Sequence, residues 1–266
     1  MAELVNRKNL TAIILAGGYG TRLSEETHLK PKPMVEIGGK PILWHILKYF
    51  SYYKINNFII CCGYKGYVIK EFFYNYLLHV SDVTFDIKNN KMQVHDSGAE
   101  PWKITLIDTG EDTKTGGRLK RVIKYVKNDE YFLFTYGDGL CNVDINKLIN
   151  SHVVSKKIAT VTLVSPPGRY GTFEINNNKI KKFTEKPKAD NPYINGGYFV
   201  LSPKVNKYIR NDLTSWEEKS LKKITEDKNI NAYLHKDFWY AMDTLRDKRY
   251  LEQLWENNEA LWKKWK

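Results

Sequence analysis

Glycines, a hydroxyl and a cation lie close together near the amino terminus, in a pattern that suits phosphate binding. Gly17, Gly18 and Gly20 follow directly on an apolar run. Glycines allow a loop to turn its backbone N–H groups toward an anion. Thr21 and Arg22 come next and add a hydroxyl and a permanent, fork-shaped cation that matches phosphate oxygens. We predict that this loop binds the phosphates of a nucleotide.

Two lysines extend the basic segment. They alternate with two prolines at 30–33 (KPKP), and the fixed φ of proline stiffens the backbone that carries the two ammonium groups. Two better-known phosphate loops do not fit. A dinucleotide-binding turn needs a third glycine where Leu23 stands, and a P-loop needs Ser or Thr after Gly39-Lys40, where Pro41 follows.

Asp138 is a candidate ligand-binding carboxylate. It lies in Tyr-Gly-Asp-Gly, just after the predicted strand Phe132–Thr135, and ligands of open α/β sheets bind where such strands end. From residue types alone, an Asp-Gly pair fits an ordinary turn equally well. Asp243 fits a helix cap before Thr244. The residues by themselves leave both interpretations open.

The elements that must position these residues alternate between strands and helices. The predicted strands of the main sheet are Ala12–Leu15, Phe58–Cys62, Ile104–Ile107, Phe132–Thr135, Ala159–Val164, Tyr198–Leu201 and Ala232–Leu234. The predicted helices are Ile42–Tyr53, Tyr67–Leu78, Leu119–Val126, Ile145–Val154 and the tail from Thr244 onward. Asparagine turns predict two hairpins, one joining Val83–Ile87 to Met92–Val94 and one joining Thr172–Ile175 to Ile180–Thr184. This alternation predicts an α/β fold with a mostly parallel central sheet flanked by helices, and a β-rich second half.

Composition narrows the class of protein. The 266 residues are 42% hydrophobic, which fits a folded domain with a sizeable core. The net charge of +12 raises nucleic-acid binding as a hypothesis, but the lysines are scattered and no nucleic-acid-binding motif occurs. No apolar run is long enough for a membrane span. Cys61, Cys62 and Cys141 have no metal-ligand spacing, and we expect buried free thiols in a reducing, cytoplasmic protein.

Longer blocks of the sequence resemble a known family. L-A-G-G-x-G-T-R-L followed by K-P-K-P resembles the signature of the sugar-1-phosphate nucleotidyltransferases. Further blocks resemble those members that join CTP to glucose 1-phosphate: SEETHLKPKPMVEIGGKPILWHI, FIICCGYKGYVIKEFF, EPWKITLIDTG, TGGRLKRV, FTYGDG, INGGYFVL and MDTLRDK. The resemblance implies a single-domain, Rossmann-like nucleotidyltransferase fold over 10–266. Residues 1–9 fall outside it, and we expect them to form a flexible extension.

The resemblance also implies a role for each matching residue. Arg22 and Lys32 are the expected catalytic residues, and Asp138 and Asp243 the expected ligands of Mg²⁺. The expected nucleotide-binding residues are Leu15, Ala16, Gly17, Gly18, Gly20, Thr21, Arg22, Lys32, Gly116, Gly117 and Arg118. The expected sugar-phosphate-binding residues are Arg169, Tyr170, Gly171, Glu185, Lys186, Asn195, Gly196 and Gly197.

The implied activity is transfer of a cytidylyl group from CTP to α-D-glucose 1-phosphate, with Mg²⁺ as cofactor and a homo-oligomer as the assembly. We hypothesise that the base pocket is built from backbone near Leu15–Gly17 and from Gly116–Arg118. Backbone carbonyls would accept from the cytosine N4 amino group, and Arg118 would donate to O2 or N3. Three alternatives stay open: the same reaction with UTP or dTTP, a catalytically silent relative that only binds nucleotide, and a nucleic-acid-binding protein. We expect neither nucleic acid nor a membrane as a partner.

Overall fold

The computed structural model describes residues 10–165, 172–176, 179–184 and 193–265. The strands are β1 (Thr11–Leu15), β2 (Glu36–Ile37), β3 (Lys40–Pro41), β4 (Asn57–Cys62), β5 (Ser81–Asp86), β6 (Lys91–Ser97), β7 (Lys103–Asp108), β8 (Phe132–Tyr136), β9 (Gly139–Cys141), β10 (Ala159–Val164), β11 (Thr172–Asn176), β12 (Lys179–Thr184), β13 (Ile194–Leu201), β14 (Ile230–His235) and β15 (Trp239–Ala241). The α-helices are α1 (Ser24–Thr27), α2 (Ile42–Tyr52), α3 (Gly66–Tyr74), α4 (Tyr76–His79), α5 (Thr115–Val122), α6 (Ile145–Ser155), α7 (Lys222–Glu226) and α8 (Leu245–Glu256).

A seven-stranded sheet forms the centre of the fold, in the order β14-β10-β13-β8-β1-β4-β7. β1 pairs in parallel with both β4 and β8, and β4 pairs in parallel with β7. β13 runs antiparallel to its neighbours β8 and β10. The predicted mostly parallel sheet is confirmed, and it places the ends of β1 and β8 side by side.

Each face of the sheet has its own core because side chains alternate along a strand. Ile14 and Cys62 pack into the cluster that contains α2 and α6, whereas Ile13 and Cys61 pack into the cluster that contains α5. The prediction that the three cysteines are free and buried is confirmed. Helices cover both faces, as the buried parallel strands require.

Both predicted hairpins are present as antiparallel pairs, β5 with β6 and β11 with β12. One predicted helix is divided, since α3 ends at Tyr74 and α4 begins at Tyr76. The break falls at Asn75, a residue type that favours helix interiors poorly. The rest of the predicted alternation is confirmed with small changes in the bounds.

The carboxyl-terminal tail differs from its predicted form. α8 begins with a capping box between Thr244 and Asp247, but it ends at Glu256, and Asn258 adopts a positive φ of 57°. Beyond it the chain turns to pack its tryptophans around His45, and Trp262 is fully buried. The prediction of a helix to the end is therefore wrong, whereas docking of the tail on the protein's own core is confirmed. In the described part of the chain, no helix has the length and apolar character that crossing a membrane requires.

Candidate active site

The ends of β1 and β8 bring the glycine loop next to Asp138. Leu15 pairs with Tyr136 across the two strands, and the Gly137 amide donates to the Leu15 carbonyl at 2.9 Å. Asp243 reaches the same place by a second route. β15 pairs with β9, and the Met242 amide then donates to the Asp138 carbonyl at 2.9 Å. Backbone hydrogen bonds thus fix both carboxylates at one edge of the sheet.

The predicted catalytic cations contact these carboxylates. The Lys32 ammonium donates to Asp138 Oδ2 at 2.7 Å and to Asp243 Oδ1 at 2.7 Å. Arg22 Nη1 donates to Asp243 Oδ2, also at 2.7 Å. Burial opposes the charge of Lys32, yet attraction to Asp138 and hydrogen bonds to both carboxylates raise the pKa of Lys32 above its usual value. The four residues form one charge cluster, in which Lys32 is buried and Arg22 is exposed.

The two carboxylates have the donor chemistry of a magnesium site. Their oxygens converge on a single cationic group, the Lys32 ammonium, and hard carboxylate oxygens are the ligands that Mg²⁺ prefers. Within the described residues, no cluster of three or more His, Cys, Asp or Glu side chains could hold a metal by itself. Asp138 and Asp243 therefore fit a Mg²⁺ ion whose other ligands are substrate oxygens and water.

A cavity of about 500 Å³ opens beside the charge cluster. It is lined by the predicted residues Leu15, Ala16, Gly18, Gly20, Thr21, Arg22, Lys32, Asp138, Asn195, Gly196, Gly197 and Asp243. Arg169, Tyr170, Gly171, Glu185 and Lys186, also predicted to bind the sugar phosphate, lie outside the described residues. The structure thus brings together, in one cavity, the residues predicted to bind phosphate and metal and some of those predicted to bind the sugar.

Glu217 links two sides of this cavity. It lies in a π-helical turn, Trp216–Leu221. Its carboxylate accepts from Tyr136 Oη at 2.5 Å, from Thr115 Oγ1 at 2.7 Å and from Ser215 Oγ at 3.0 Å. Asn195 Nδ2 donates in turn to Tyr136 Oη at 3.2 Å. A hydrogen-bonded chain therefore runs from α5 to β13.

Sequence patterns do not point to Glu217. It precedes Glu218 and Lys219, and such a charged run is typical of an exposed helix start. Trp239 is a further residue of the cavity without a predicted role, and its Nε1 donates to the Gly196 carbonyl at 2.7 Å. Neither residue has a distinctive spacing, because both reach the cavity only through the tertiary fold.

A second cavity of about 400 Å³ adjoins the first and shares Leu15, Gly18 and Thr115 with it. Its remaining lining is Gly17, Tyr19, Glu111, Asp112, Thr113, Lys114 and Arg118. The two cavities therefore adjoin along the glycine loop and the start of α5.

Arg118 is buried, with only 4% of its surface exposed, and its guanidinium binds the loops around the smaller cavity. Nη2 donates to the carbonyls of Gly17 and Glu111, each at 2.9 Å, and Nη1 donates to the Gly110 carbonyl at 2.6 Å. A Cβ on Gly17 would lie 2.3 Å from Arg118 Nη1, so this glycine makes room for the guanidinium. Arg118 thus fixes the walls of this cavity. Its donation to a base stays a prediction.

Gly116 and Gly117 lie outside the lining of both cavities. Instead they allow α5 to pack closely on a neighbouring loop. A Cβ on Gly117 would lie 2.3 Å from the Asp212 carbonyl oxygen, and one on Gly116 would lie 2.7 Å from that of Thr214. In the structure, the two glycines therefore allow the close packing of α5. That they contact the nucleotide stays a prediction.

The chain is similar to known nucleotidyltransferases over most of its length. A family model described as nucleotidyl transferase matches residues 11–256. A glucose-1-phosphate cytidylyltransferase of Salmonella typhimurium is 58% identical over 96% of this chain and 100% of its own length. A D-glycero-α-D-manno-heptose 1-phosphate guanylyltransferase of Campylobacter jejuni is 31% identical over 79% of this chain and 84% of its own. The crystal structure of HddC from Yersinia pseudotuberculosis superposes with a TM-score of 0.68 at 26% identity, over 92% of this chain and 99% of that one. The chain therefore belongs to the nucleotidyl transferase family.

Proposed function

We propose that this protein transfers a cytidylyl group from CTP to α-D-glucose 1-phosphate and releases pyrophosphate, giving CDP-glucose. The observation that carries the proposal is the cluster of Lys32, Arg22, Asp138 and Asp243 at the mouth of the glycine loop. The identity of 58% to a relative with that printed activity supports the choice of nucleotide and sugar. All four charged residues are present and in contact, which favours a working enzyme over a silent relative.

The reaction needs positioning and charge neutralisation more than covalent help from the protein. A phosphate oxygen of glucose 1-phosphate attacks the α-phosphorus of CTP in line, the bond from that phosphorus to the bridging oxygen breaks, and pyrophosphate leaves. Because a phosphate monoester is already an anionic nucleophile, no general base is required. In this account Arg22 holds the leaving β- and γ-phosphates, and Lys32 lies against the α-phosphate, where charge shifts in the transition state.

We assign Mg²⁺ to Asp138 and Asp243. When bound, the ion supplies Lewis-acid polarisation of the nucleotide oxygens. The protein's part is to hold two carboxylates at a fixed separation, through the β9–β15 pairing and the hydrogen bond from Met242 to Asp138. Lys32 and Arg22 contact these carboxylates and exchange them for phosphate oxygens when substrate arrives. The carboxylates are then available for the metal.

We assign the two adjoining cavities to the two parts of the nucleotide. The larger one takes the triphosphate and the glucose phosphate, with Asn195, Gly196 and Gly197 on the sugar side. Arg169, Tyr170, Gly171, Glu185 and Lys186 complete the sugar-phosphate site in this proposal. The smaller one, with a volume of about 400 Å³, takes the cytosine.

We propose that 10–266 act as one domain and that the protein forms a homo-oligomer in the cytoplasm. Three unpaired thiols buried in the core support a reducing compartment. Size-exclusion chromatography with light scattering tests the oligomer.

The direct test of the reaction is identification of its products. Purified protein is incubated with CTP, glucose 1-phosphate and Mg²⁺, and the products are followed by ³¹P NMR and mass spectrometry. We expect CDP-glucose and pyrophosphate in equal amounts, and an Asp138→Asn variant serves as the control for contaminating enzymes. Absence of CDP-glucose at protein concentrations comparable to that of the substrate contradicts the proposal.

A further inference from the structure

Tyr19, at the tip of the glycine loop, makes a contact that the proposed reaction does not use. Its phenol donates to Asp112 Oδ1 at 2.8 Å, across a separation of 93 positions in the sequence. Its ring also packs on that of Tyr64, with centroids 5.2 Å apart. Tyr19 follows β1, Tyr64 follows β4 and Asp112 follows β7, so three neighbouring loops at one sheet edge meet at this point.

The same three loops are joined a second time by Arg118, deeper in the protein. The guanidinium donates to the carbonyls of Gly17 and Gly110, in the loops after β1 and β7, and to that of Cys62, the last residue of β4. Arg118 is buried, whereas Tyr19 is 45% exposed. The smaller cavity is lined by both residues. Arg118 therefore forms a buried inner bridge between the loops. The hydrogen bond from Tyr19 to Asp112 forms an outer bridge at the rim of the smaller cavity.

The outer bridge has the features of a contact that is not required for folding. A Cβ on Gly18 would touch nothing within 4 Å, and Gly20 has a φ of 66°, so Tyr19 stands between two glycines on an open loop. In the described part of the chain, no side chain other than Tyr19 donates to Asp112. The hydrogen bond to Asp112 raises the pKa of the Tyr19 phenol. The phenol is a donor at neutral pH in any case, because the ordinary pKa of tyrosine is about 10. An exposed hydrogen bond of this kind adds little to stability.

We propose that Tyr19 is a positioning residue for the nucleotide: through Asp112 it closes the rim of the smaller cavity and holds the base end of the nucleoside triphosphate in place. This inference rests on the proposed function for the identity of the nucleotide, but not for the existence of the rim.

The test compares Tyr19→Phe, which removes only the hydroxyl, with Tyr52→Phe as a matched control. Tyr52 is an exposed tyrosine on α2 that lines neither cavity. Equilibrium dissociation constants of CTP, UTP and GTP are measured by calorimetry with Mg²⁺ and without sugar phosphate, so that no turnover occurs. For the tightest of the three we expect Tyr19→Phe to bind about fivefold to tenfold more weakly, a loss within the range of one ordinary hydrogen bond. The melting temperature, the KM for glucose 1-phosphate and the control variant should stay unchanged.

A double-mutant cycle distinguishes an effect of the Tyr19–Asp112 hydrogen bond from an effect of Tyr19 alone. Asp112→Ala should weaken nucleotide binding by a similar factor, and Tyr19→Phe combined with Asp112→Ala should lose no more than either single change. An unchanged or tighter dissociation constant in Tyr19→Phe overturns the inference, as do multiplicative losses in the double variant. Preference for a nucleotide other than CTP in the wild-type protein contradicts the proposed function instead, and leaves the test of Tyr19 intact.

Discussion

Lys32 Nζ donates to Asp138 Oδ2 at 2.7 Å, although the two residues are 106 positions apart in the sequence. The contact places the proposed catalytic cation on a proposed metal ligand. Lys30, two positions earlier, donates from Nζ to Glu36 Oε1 at 2.8 Å instead. The two lysines of the KPKP segment therefore make different contacts, and only the family resemblance distinguished them in the sequence.

Lys32→Ala should lower kcat by roughly 10²–10³, the loss typical of one preorganised electrostatic group. Lys30→Ala is the matched control and should have a mild effect, because its ammonium donates to Glu36, which is not part of the charge cluster. Steady-state pyrophosphate release measures both, with melting temperatures to verify folding. Equal losses in the two variants would show that the lysine at 32 has no special role.

Asp138→Asn and Asp243→Asn should each raise the Mg²⁺ concentration that gives half-maximal activity. The reason is that oxygens of both carboxylates contact the same group, the Lys32 ammonium, and so lie close enough to share one metal ion. Chelation of divalent ions should abolish turnover, and the double variant should lose much less than the product of the single losses. Two losses that multiply, with an unchanged requirement for Mg²⁺, would contradict a shared metal site.

Arg118→Ala should both destabilise the protein and raise the KM for CTP, with little change in the KM for glucose 1-phosphate. The guanidinium satisfies the carbonyls of Gly17 and Gly110, and a buried polar group left unpaired costs about 1–3 kcal/mol. Arg121→Ala is the control, since Arg121 lies on the same helix and binds Asp212 at the surface. The preference of Arg118→Ala for CTP over UTP should also be smaller than that of the wild-type protein. Nucleotide constants that do not change would limit Arg118 to a structural role.

Acidification should destabilise the protein below about pH 6.5, before most carboxylates titrate. Burial lowers the pKa of both His45 and His152 to about 4. Between these values the unfolded chain binds protons that the folded one does not, so the free energy of unfolding falls as the pH falls. Each histidine contributes up to roughly 1.4 kcal/mol per pH unit in this range.

Urea unfolding from pH 7.5 to pH 5 measures this slope. His152→Gln should flatten it, whereas His79→Gln should leave it unchanged because His79 is exposed. A slope that His152→Gln does not alter would show that the burial of this histidine does not control the pH response.

Local patterns predict much of the fold. Apolar runs between turn residues identify the strands from β1 to β14 in the central sheet, and asparagine turns identify both hairpins. The tail could not be predicted in this way, because the tryptophans after Glu256 keep helical spacing while their packing depends on His45, more than 200 positions away. Tertiary contacts decide such segments, and periodicity does not report them.

Residues of the candidate site also differ in whether a local sequence pattern identifies them. Loop residues such as Gly18 and Arg22 carry a local signature, so the sequence identifies them. Glu217 carries none, since its function in the network depends on hydroxyls of Thr115 and Tyr136 that come from distant elements. Arg118 has a local signature, yet its burial against three loops is visible only in the structure.

The central claim is the choice of CTP, and kcat/KM for pyrophosphate release tests it most directly. CTP, UTP, dTTP, ATP and GTP are compared at saturating glucose 1-phosphate and Mg²⁺. Cytosine presents an amino donor where uracil and thymine present a carbonyl, and a pocket that pairs with such a group can discriminate by up to about 10⁴. We predict the highest kcat/KM with CTP. A higher value with any other nucleotide, or no pyrophosphate from any of them, would contradict the account.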